Sequence, residues 1–148
     1  MQKETRRSRN AGKGVGDTII TEKMNKINRE ELKAVIIDYV NSSIITEPLL
    51  ISFGKNEETV ALKVLKEVFG GSNSFKICAT YDNPRADIPY CLYDTYLGDE
   101  NSIAILKHCV EIAQNIHRPV FCFTSHDNMK QLPEGIVSSL NIYEYSEE

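Results

Sequence analysis

The sequence predicts an α/β fold with three layers, in which a mostly parallel sheet of about five strands carries helices on both faces. Short continuous apolar runs of the buried-strand type occur at Leu49–Phe53, Tyr90–Tyr93 and Val120–Phe123, which we expect at the centre of the sheet. Segments with apolar residues at helical spacing separate the strands. Because strands and helices alternate, we expect parallel pairing through right-handed crossovers.

The first half of the chain contains two predicted helices around one strand. Asn28 and Glu31 have the spacing of a capping box, so a helix is expected over about Arg29–Asn41. Its apolar residues recur at helical spacing, namely Leu32, Val35, Ile36, Tyr39 and Val40. After the strand Leu49–Phe53, similar spacing predicts a second helix over about Glu57–Phe69.

The second half supplies the remaining strands and one long helix. In chain order, the predicted elements are strand Phe75–Tyr81, strand Ile88–Tyr96, helix Ile103–Ile116, strand Pro119–Phe123 and strand Asn141–Tyr145. Asn101 or Ser102 is the expected N-cap of the helix. This helix is apolar on more than one side, which indicates burial against the sheet.

Charge and composition divide the 148 residues into a basic tail, residues 1–18, and one α/β domain, residues 19–148. The tail has almost no apolar side chains, so we expect it to be disordered. Residues 1–13 carry a net charge of +4, which leaves −8 on the rest of a chain whose total is −4. We therefore expect the body to repel nucleic acid and the tail to give at most weak, salt-dependent contact with it.

Cysteine spacing and hydropathy bear on the compartment. Cys78, Cys91, Cys109 and Cys122 lie in apolar segments without a close pair of the kind that binds zinc, so we expect buried, reduced thiols. The sequence has no apolar run long enough to span a membrane, and its N-terminus lacks the apolar segment of a secretory signal. These features predict a cytoplasmic protein with no membrane contact.

Polar side chains follow two of the predicted strands. Asp94 comes after the apolar run Tyr90–Tyr93, and His126 comes after Val120–Phe123 and two hydroxyl residues. Ligands of open α/β sheets bind beyond the carboxyl ends of the strands, so Asp94 and His126 would face one site on neighbouring parallel strands. A carboxylate there suits the magnesium ion of a nucleotide site, and an imidazole there can hydrogen-bond a phosphate.

With this pattern, residues 49–145 resemble the C-terminal half of an ABC-type ATPase head of the SMC and recombination-repair kind. In that family a strand ends in a magnesium-site aspartate, a D-loop aspartate follows, and the next strand ends in a switch histidine. By this resemblance Asp94 would be the Walker B aspartate and metal ligand, Asp99 the D-loop aspartate and His126 the switch histidine.

The segment Ile51-Ser52-Phe53-Gly54 is similar to the signature motif that opens a helix in the same family. There the motif faces outward and holds the γ-phosphate of a nucleotide bound to the opposite subunit. The resemblance thus implies ATP and Mg²⁺ as cofactors, bound only together with a partner chain. The implied nucleotide-binding residues are Ser52, Gly54, Asp94, Asp99 and His126.

The chain departs from the family pattern in the parts that perform hydrolysis. It has no usable Walker A loop, and the spacings between its motifs differ from those of the family. Thr95 stands where the family has its catalytic glutamate, and a threonine hydroxyl is too weak a base to activate water. The expected function is a degenerate, nucleotide-binding ATPase-like lobe, without catalytic residues, that serves as an accessory or regulatory subunit of a nucleic-acid-associated complex.

Each of these residues also has a structural interpretation. Asp94 and Asp99 can be turn or helix-cap residues, and Ser52 and Gly54 can form an ordinary strand-to-helix turn. His108 and His117 flank a helix and are expected at the surface.

Two other functions fit the sequence. Residues 114–119 and Leu132–Ile136 resemble the end of DNA-translocating ATPases. The non-enzyme alternative is an acidic α/β module of the immunity or inhibitor type, whose charged body docks on a basic protein. In either case a protein partner or a second copy of the chain is expected.

Overall fold

The structure, a computed structural model, describes residues 25–55, 57–69, 76–79 and 91–147. The expected disordered tail, the first residues of the expected domain and the turn after Tyr81 lie outside the described residues. In the described part, six strands form one sheet: β1 (Asn25–Ile27), β2 (Leu49–Phe53), β3 (Ile77–Ala79), β4 (Cys91–Thr95), β5 (Val120–Ser125) and β6 (Asn141–Tyr145).

Five helices connect these strands in the same part of the chain. They are α1 (Arg29–Val40), α2 (Glu58–Phe69), α3 (Glu100–Asn115), α4 (His126–Met129) and α5 (Glu134–Val137). The two one-turn helices α4 and α5 lie between β5 and β6, where the sequence analysis predicted no helix. The capping box of α1 is present, with Asn28 and Glu31 each accepting a hydrogen bond from the other's backbone N–H at 2.9 Å.

The strand order is β1-β6-β2-β5-β4-β3, and every described pair of neighbouring strands is parallel. The α/β fold class is thereby confirmed, with six strands instead of the expected five. The additional strand is β1, a three-residue edge strand in which only Ile27 is buried. One inward apolar residue gives no detectable alternation, which is why the sequence did not predict this strand.

The helices cover both faces of the sheet. The Phe121 ring packs edge-on against Tyr39 of α1 and against Phe69 of α2, at centroid distances of 5.4 and 6.1 Å. The next residue of β5, Cys122, contacts Cys109 of α3. Successive strand residues point to opposite faces, so α1 and α2 lie on one face and α3 lies on the other.

The centre of the sheet is buried and mostly apolar, as its hydrophobic runs predicted. All five residues of β2 are buried, and so are the first five of β5. Phe53 packs against both Phe123 and Tyr145, which joins three neighbouring strands on the α1 and α2 face. Burial on both sides of the sheet accounts for the absence of alternation in these strands.

The four cysteines are buried free thiols, as expected. A hydrogen bond to Cys109 and burial raise the pKa of Cys122 well above its ordinary value, and burial raises the pKa of Cys91. Thiols of this kind stay protonated at neutral pH and are poor nucleophiles. They act here as small apolar residues of the core.

The start of α3 differs from the prediction. The N-cap is Asp99, not Asn101 or Ser102, and the helix begins at Glu100. The Asp99 carboxylate accepts a hydrogen bond from the Ser102 N–H at 2.7 Å, while the Ser102 hydroxyl accepts one from the Leu97 N–H at 3.0 Å. Ser102 therefore braces the loop before the helix instead of capping it.

Tyr39 connects α1 to the segment before β2 and to the first residue of β5 through hydrogen bonds. Its buried hydroxyl donates to the Glu47 carbonyl at 2.8 Å and accepts from the Val120 N–H at 3.1 Å. Burial strongly raises the pKa of Tyr39, so the phenol remains a neutral donor and acceptor. The hydroxyl thus satisfies the N–H of the first residue of β5 and a carbonyl of the segment before β2.

We expect Tyr39→Phe to lower the free energy of unfolding by about 1–3 kcal/mol, because it leaves a buried N–H and a carbonyl without partners. Urea titration followed by circular dichroism measures this change. Tyr143→Phe is the matched control, since among the described residues no hydrogen bond reaches its hydroxyl. Equal unfolding curves for the two variants would show that the Tyr39 hydroxyl contributes no net stability.

Candidate functional site

The connection that leaves β2 and the connection that leaves β5 run toward opposite edges of the sheet. From β1 to β2 and from β2 to β3 the chain moves toward one edge, whereas from β4 to β5 and from β5 to β6 it moves toward the other. β2 and β5 are direct neighbours in the sheet, with Ser52 opposite Thr124 and Phe53 opposite Ser125. Such a reversal leaves a crevice at the carboxyl ends of the two strands, which is where open α/β sheets bind ligands.

A cavity of about 490 Å³ lies at this position. Its size falls within the range of roughly 300–1,000 Å³ of small-molecule sites. Three segments that follow β2, β4 and β5 form its wall, and they contribute Phe53, Gly54, Lys55, Thr95, Tyr96, Leu97, Thr124, Ser125, His126, Asp127 and Asn128. We call this cavity the crevice.

Ser52 and His126 meet beside the crevice. The Ser52 hydroxyl, with 0% exposure, lies 2.8 Å from Nδ1 of His126. His126 is the first residue of α4, whose N-cap Ser125 accepts a hydrogen bond from the Asn128 N–H at 3.1 Å. The imidazole is therefore fixed from two sides, by the cap of its own helix and by a buried hydroxyl of the neighbouring strand.

The burial of Ser52 determines how the protons are arranged. The contact with Nδ1 is the one hydrogen bond of the Ser52 hydroxyl among the described residues, so the buried O–H is satisfied when it donates to Nδ1. The neutral imidazole then carries its proton on Nε2. His126 presents this N–H as a hydrogen-bond donor at the wall of the crevice. Because Ser52 is inaccessible, the pair is not arranged for nucleophilic catalysis.

Gly54 approaches His126 closely and holds Glu57. A Cβ atom on Gly54 would lie 3.7 Å from Nε2 of His126 and 2.7 Å from Oε1 of Glu57. The Gly54 N–H donates to that same Oε1 at 2.9 Å, and the Glu57 N–H donates back to the Gly54 carbonyl at 3.1 Å. The loop amide at the start of α2 is thus already bound to a carboxylate of the chain.

The signature-motif assignment required Ser52 and Gly54 to face outward, and the structure does not place Ser52 in this way. Ser52 is fully buried under the crevice, and Gly54 forms part of the crevice wall. β2 lies at the centre of the sheet, between β5 and β6, and this position buries Ser52. The role of Ser52 and Gly54 as nucleotide-binding residues stays a prediction.

Asp94 lies on the strand next to that of His126, as expected, yet it does not form part of the crevice wall. β4 and β5 are parallel neighbours with Asp94 opposite Cys122, and Ser125 lies three residues, roughly 10 Å, further along β5. The Asp94 carboxylate accepts a hydrogen bond from the Thr95 N–H at 2.7 Å. Its neighbour Thr95 is the residue that lines the crevice.

Asp99 is separate from this group and has a structural role as the cap of α3. Gly98, which precedes it, has a positive φ of 85° and lies against the Asn128 side chain. Glycine adopts this conformation at little cost, which lets the chain turn sharply from β4 into α3. The D-loop role implied for Asp99 stays a prediction.

The described residues do not assemble a metal site by themselves. Within residues 25–55, 57–69, 76–79 and 91–147, no three His, Cys, Asp or Glu side chains come together in a way that could hold a metal ion. Magnesium can be bound through one or two carboxylates together with ligand phosphates, so the assignment of Asp94 as a metal ligand stays a prediction.

Comparisons with protein-family models, curated proteins and solved structures found no match to this chain. The interpretation of the crevice therefore depends on its own geometry. None of the helices in the described part is long and apolar enough to cross a membrane.

Several wall residues were not identified from the sequence. Lys55 and Asp127 flank Gly54 and His126 in the chain, and Leu97 follows β4. Their neighbourhood becomes visible only once β2, β5 and β4 are known to be adjacent in that order. Proximity in the chain to Gly54 and His126 was the one signal available for Lys55 and Asp127.

The cap of α3 gives a pH-dependent contribution to stability. Hydrogen bonds from Ser102 lower the pKa of the Asp99 carboxyl below its ordinary value. Asp99 therefore stabilises the fold above its unfolded pKa of about 4, and this contribution is lost as the pH falls through its folded pKa.

We expect Asp99→Ala to lower the midpoint of urea unfolding at pH 7. Asp99→Asn should keep a midpoint close to that of wild type, because asparagine caps a helix about as well as aspartate. The difference between wild type and Asp99→Ala should shrink below pH 4. Urea titrations at several pH values measure it, with exposed Glu100→Ala as a control in the same turn. A difference that does not change with pH would contradict the assignment of the cap.

Proposed function

We propose that this chain is a nucleotide-binding, ATPase-like lobe that does not hydrolyse its ligand by itself and acts as an accessory or regulatory subunit of a nucleic-acid-associated complex. The observation that carries the proposal is the crevice at the carboxyl ends of β2 and β5, with the imidazole of His126 on its wall. Lys55 and the hydroxyl of Ser125 lie on the same wall. Together they offer a cation and neutral polar groups to a phosphate and its ester oxygens.

The wall also supports the absence of catalysis. Thr95 occupies the position next to Asp94 where the ATPase family has its general base, and its side chain cannot activate water at neutral pH. Asp127, the carboxylate that does line the crevice, is exposed to solvent at the start of a one-turn helix. A carboxylate that water surrounds is a weak general base for this chemistry.

An accessory role fits the apolar rim of the crevice. Leu97 lines the crevice and is 63% exposed, the largest exposure among the large apolar side chains of the described residues. A partner chain that covers Leu97 would close the crevice and contribute the positive charge that the wall lacks. The same rim is the feature that favours the alternative, an acidic protein-binding module without a nucleotide.

We expect purified chain to bind at least one adenosine or guanosine compound in the series from nucleoside to triphosphate, measured by isothermal titration calorimetry. His126→Ala should weaken this binding about 10-fold or more, since a hydrogen bond to a charged group contributes about 1.5–3 kcal/mol. Ser52→Ala, which keeps the imidazole but removes the partner of Nδ1, should weaken it less.

The control is His108→Ala, which removes an exposed histidine of α3. Circular dichroism establishes that each variant is folded. If no member of the series binds, or if His126→Ala binds as wild type does, the nucleotide role is wrong and the protein-binding alternative stands.

We also expect no ATP turnover by the purified chain, because on the described part of the wall Thr95 replaces the general base and the Asp127 carboxylate is exposed to solvent. Phosphate release above the level of a buffer control measures it. Turnover that disappears in Asp94→Ala would contradict the proposal and would assign a catalytic role to this carboxylate.

A further inference from the structure

We propose that the crevice of the isolated chain takes a nucleoside or a nucleoside monophosphate, and that Glu57 excludes polyphosphates. This inference rests on the proposed function and specifies its ligand. It follows from three features of the site: the partner of the loop amide, the charge of the wall and the distribution of apolar surface.

The first feature is the hydrogen bond of Gly54. In phosphate-binding loops, backbone N–H groups between a strand and the following helix point at the phosphate oxygens. Here the corresponding N–H of Gly54 donates to Oε1 of Glu57 at 2.9 Å. A phosphate could use this amide only by displacing a carboxylate, and it would then lie beside that negative charge.

The second feature is the balance of charge. Among the described residues, Lys55 is the only lysine or arginine on the wall, and Asp127 offsets it. Glu57 lies outside the wall but next to Gly54, which belongs to it. Each added phosphate brings at least one more negative charge, and the described part of the wall offers no second lysine or arginine to face it. One phosphate can be held by Lys55 and the Nε2–H of His126, whereas a chain of phosphates is repelled.

The third feature is the remainder of the wall. Leu97 offers an exposed apolar surface against which a flat base can lie, while Asp127 and Asn128 offer acceptors and a donor for the hydroxyls of a sugar. The cavity of about 490 Å³ has room for a base, a sugar and one phosphate. The wall is therefore more complementary to a nucleoside monophosphate than to a triphosphate.

The test compares adenosine, AMP, ADP and ATP, and the matching guanosine series, by calorimetry on wild type, Glu57→Ala and Glu67→Ala. Glu67→Ala removes the same charge from α2 itself, about 15 Å along the helix axis from Glu57, which directly precedes α2, at an exposed position paired with Lys33. Wild type and Glu67→Ala should bind the nucleoside or monophosphate at least 10-fold more tightly than the triphosphate.

Glu57→Ala should bind ADP and ATP more tightly than wild type does, so that the preference for the nucleoside or monophosphate falls by at least 10-fold or reverses. The affinity for AMP should change by less than 3-fold. Glu57→Gln, which keeps the acceptor for Gly54 but removes the charge, should give an intermediate preference. If circular dichroism shows that Glu57→Ala is unfolded, Glu57→Gln replaces it as the test variant.

Tightest binding of ATP by wild type, or a preference that Glu57→Ala and Glu57→Gln leave unchanged, would overturn the role of Glu57 while the proposed function stands. Triphosphate binding only in the Glu57 variants would support the role of Glu57 and would correct the ligand of the natural chain. If no nucleoside or nucleotide binds to any of the proteins, both proposals are wrong.

Discussion

The hydrogen bond between Ser52 and His126 joins β2 to the short helix α4 that directly follows the neighbouring strand β5. Ser52 is a polar residue in an otherwise apolar strand, and its burial is acceptable because its hydroxyl has one good partner. The same bond fixes the ring of His126, so the position of the donor in the crevice depends on a residue that no ligand can touch. Fold and site are coupled at this point, since loss of the hydroxyl changes both.

Two carboxylates near the ends of β2 and β4 accept hydrogen bonds from backbone N–H groups. Glu57 accepts a hydrogen bond from the Gly54 N–H, and Asp94 accepts one from the Thr95 N–H. Both carboxylates are therefore bound to backbone groups of the chain itself. These contacts stabilise the two loops that follow β2 and β4 in the absence of a ligand. They also lower the positive potential that an anion would meet at the ends of these strands. The selectivity of such a site depends on groups that already have a hydrogen-bond partner within the chain, as well as on groups that are free to bind a ligand.

The sequence was sufficient for the layers of the fold and for the central strands, because the apolar runs at β2 and β5 are long and uninterrupted. It was insufficient for β1, where a single inward residue gives no pattern, and for the cap of α3, where Asp99, Asn101 and Ser102 are all good cap residues. The site was partly predictable: the end of β5 was correctly placed next to that of β4, but the approach of Gly54 to His126 was not foreseen. That approach depends on the insertion of β2 between β5 and β6, and strand order is a tertiary property that local patterns do not encode.

The pairing of β2 with β5 has a consequence for the time at which the site comes into existence. Residues 49–53 pair with residues 121–125, so the two sides of the crevice are formed by segments that lie far apart in the sequence. Contacts of this kind form late, because the intervening segment must lose its freedom before they contribute. During synthesis, a ribosome must release β5 before Ser52 has a partner for its hydroxyl and before the crevice has a second wall. Occupancy of the crevice by a small molecule would therefore distinguish a finished domain from a nascent one.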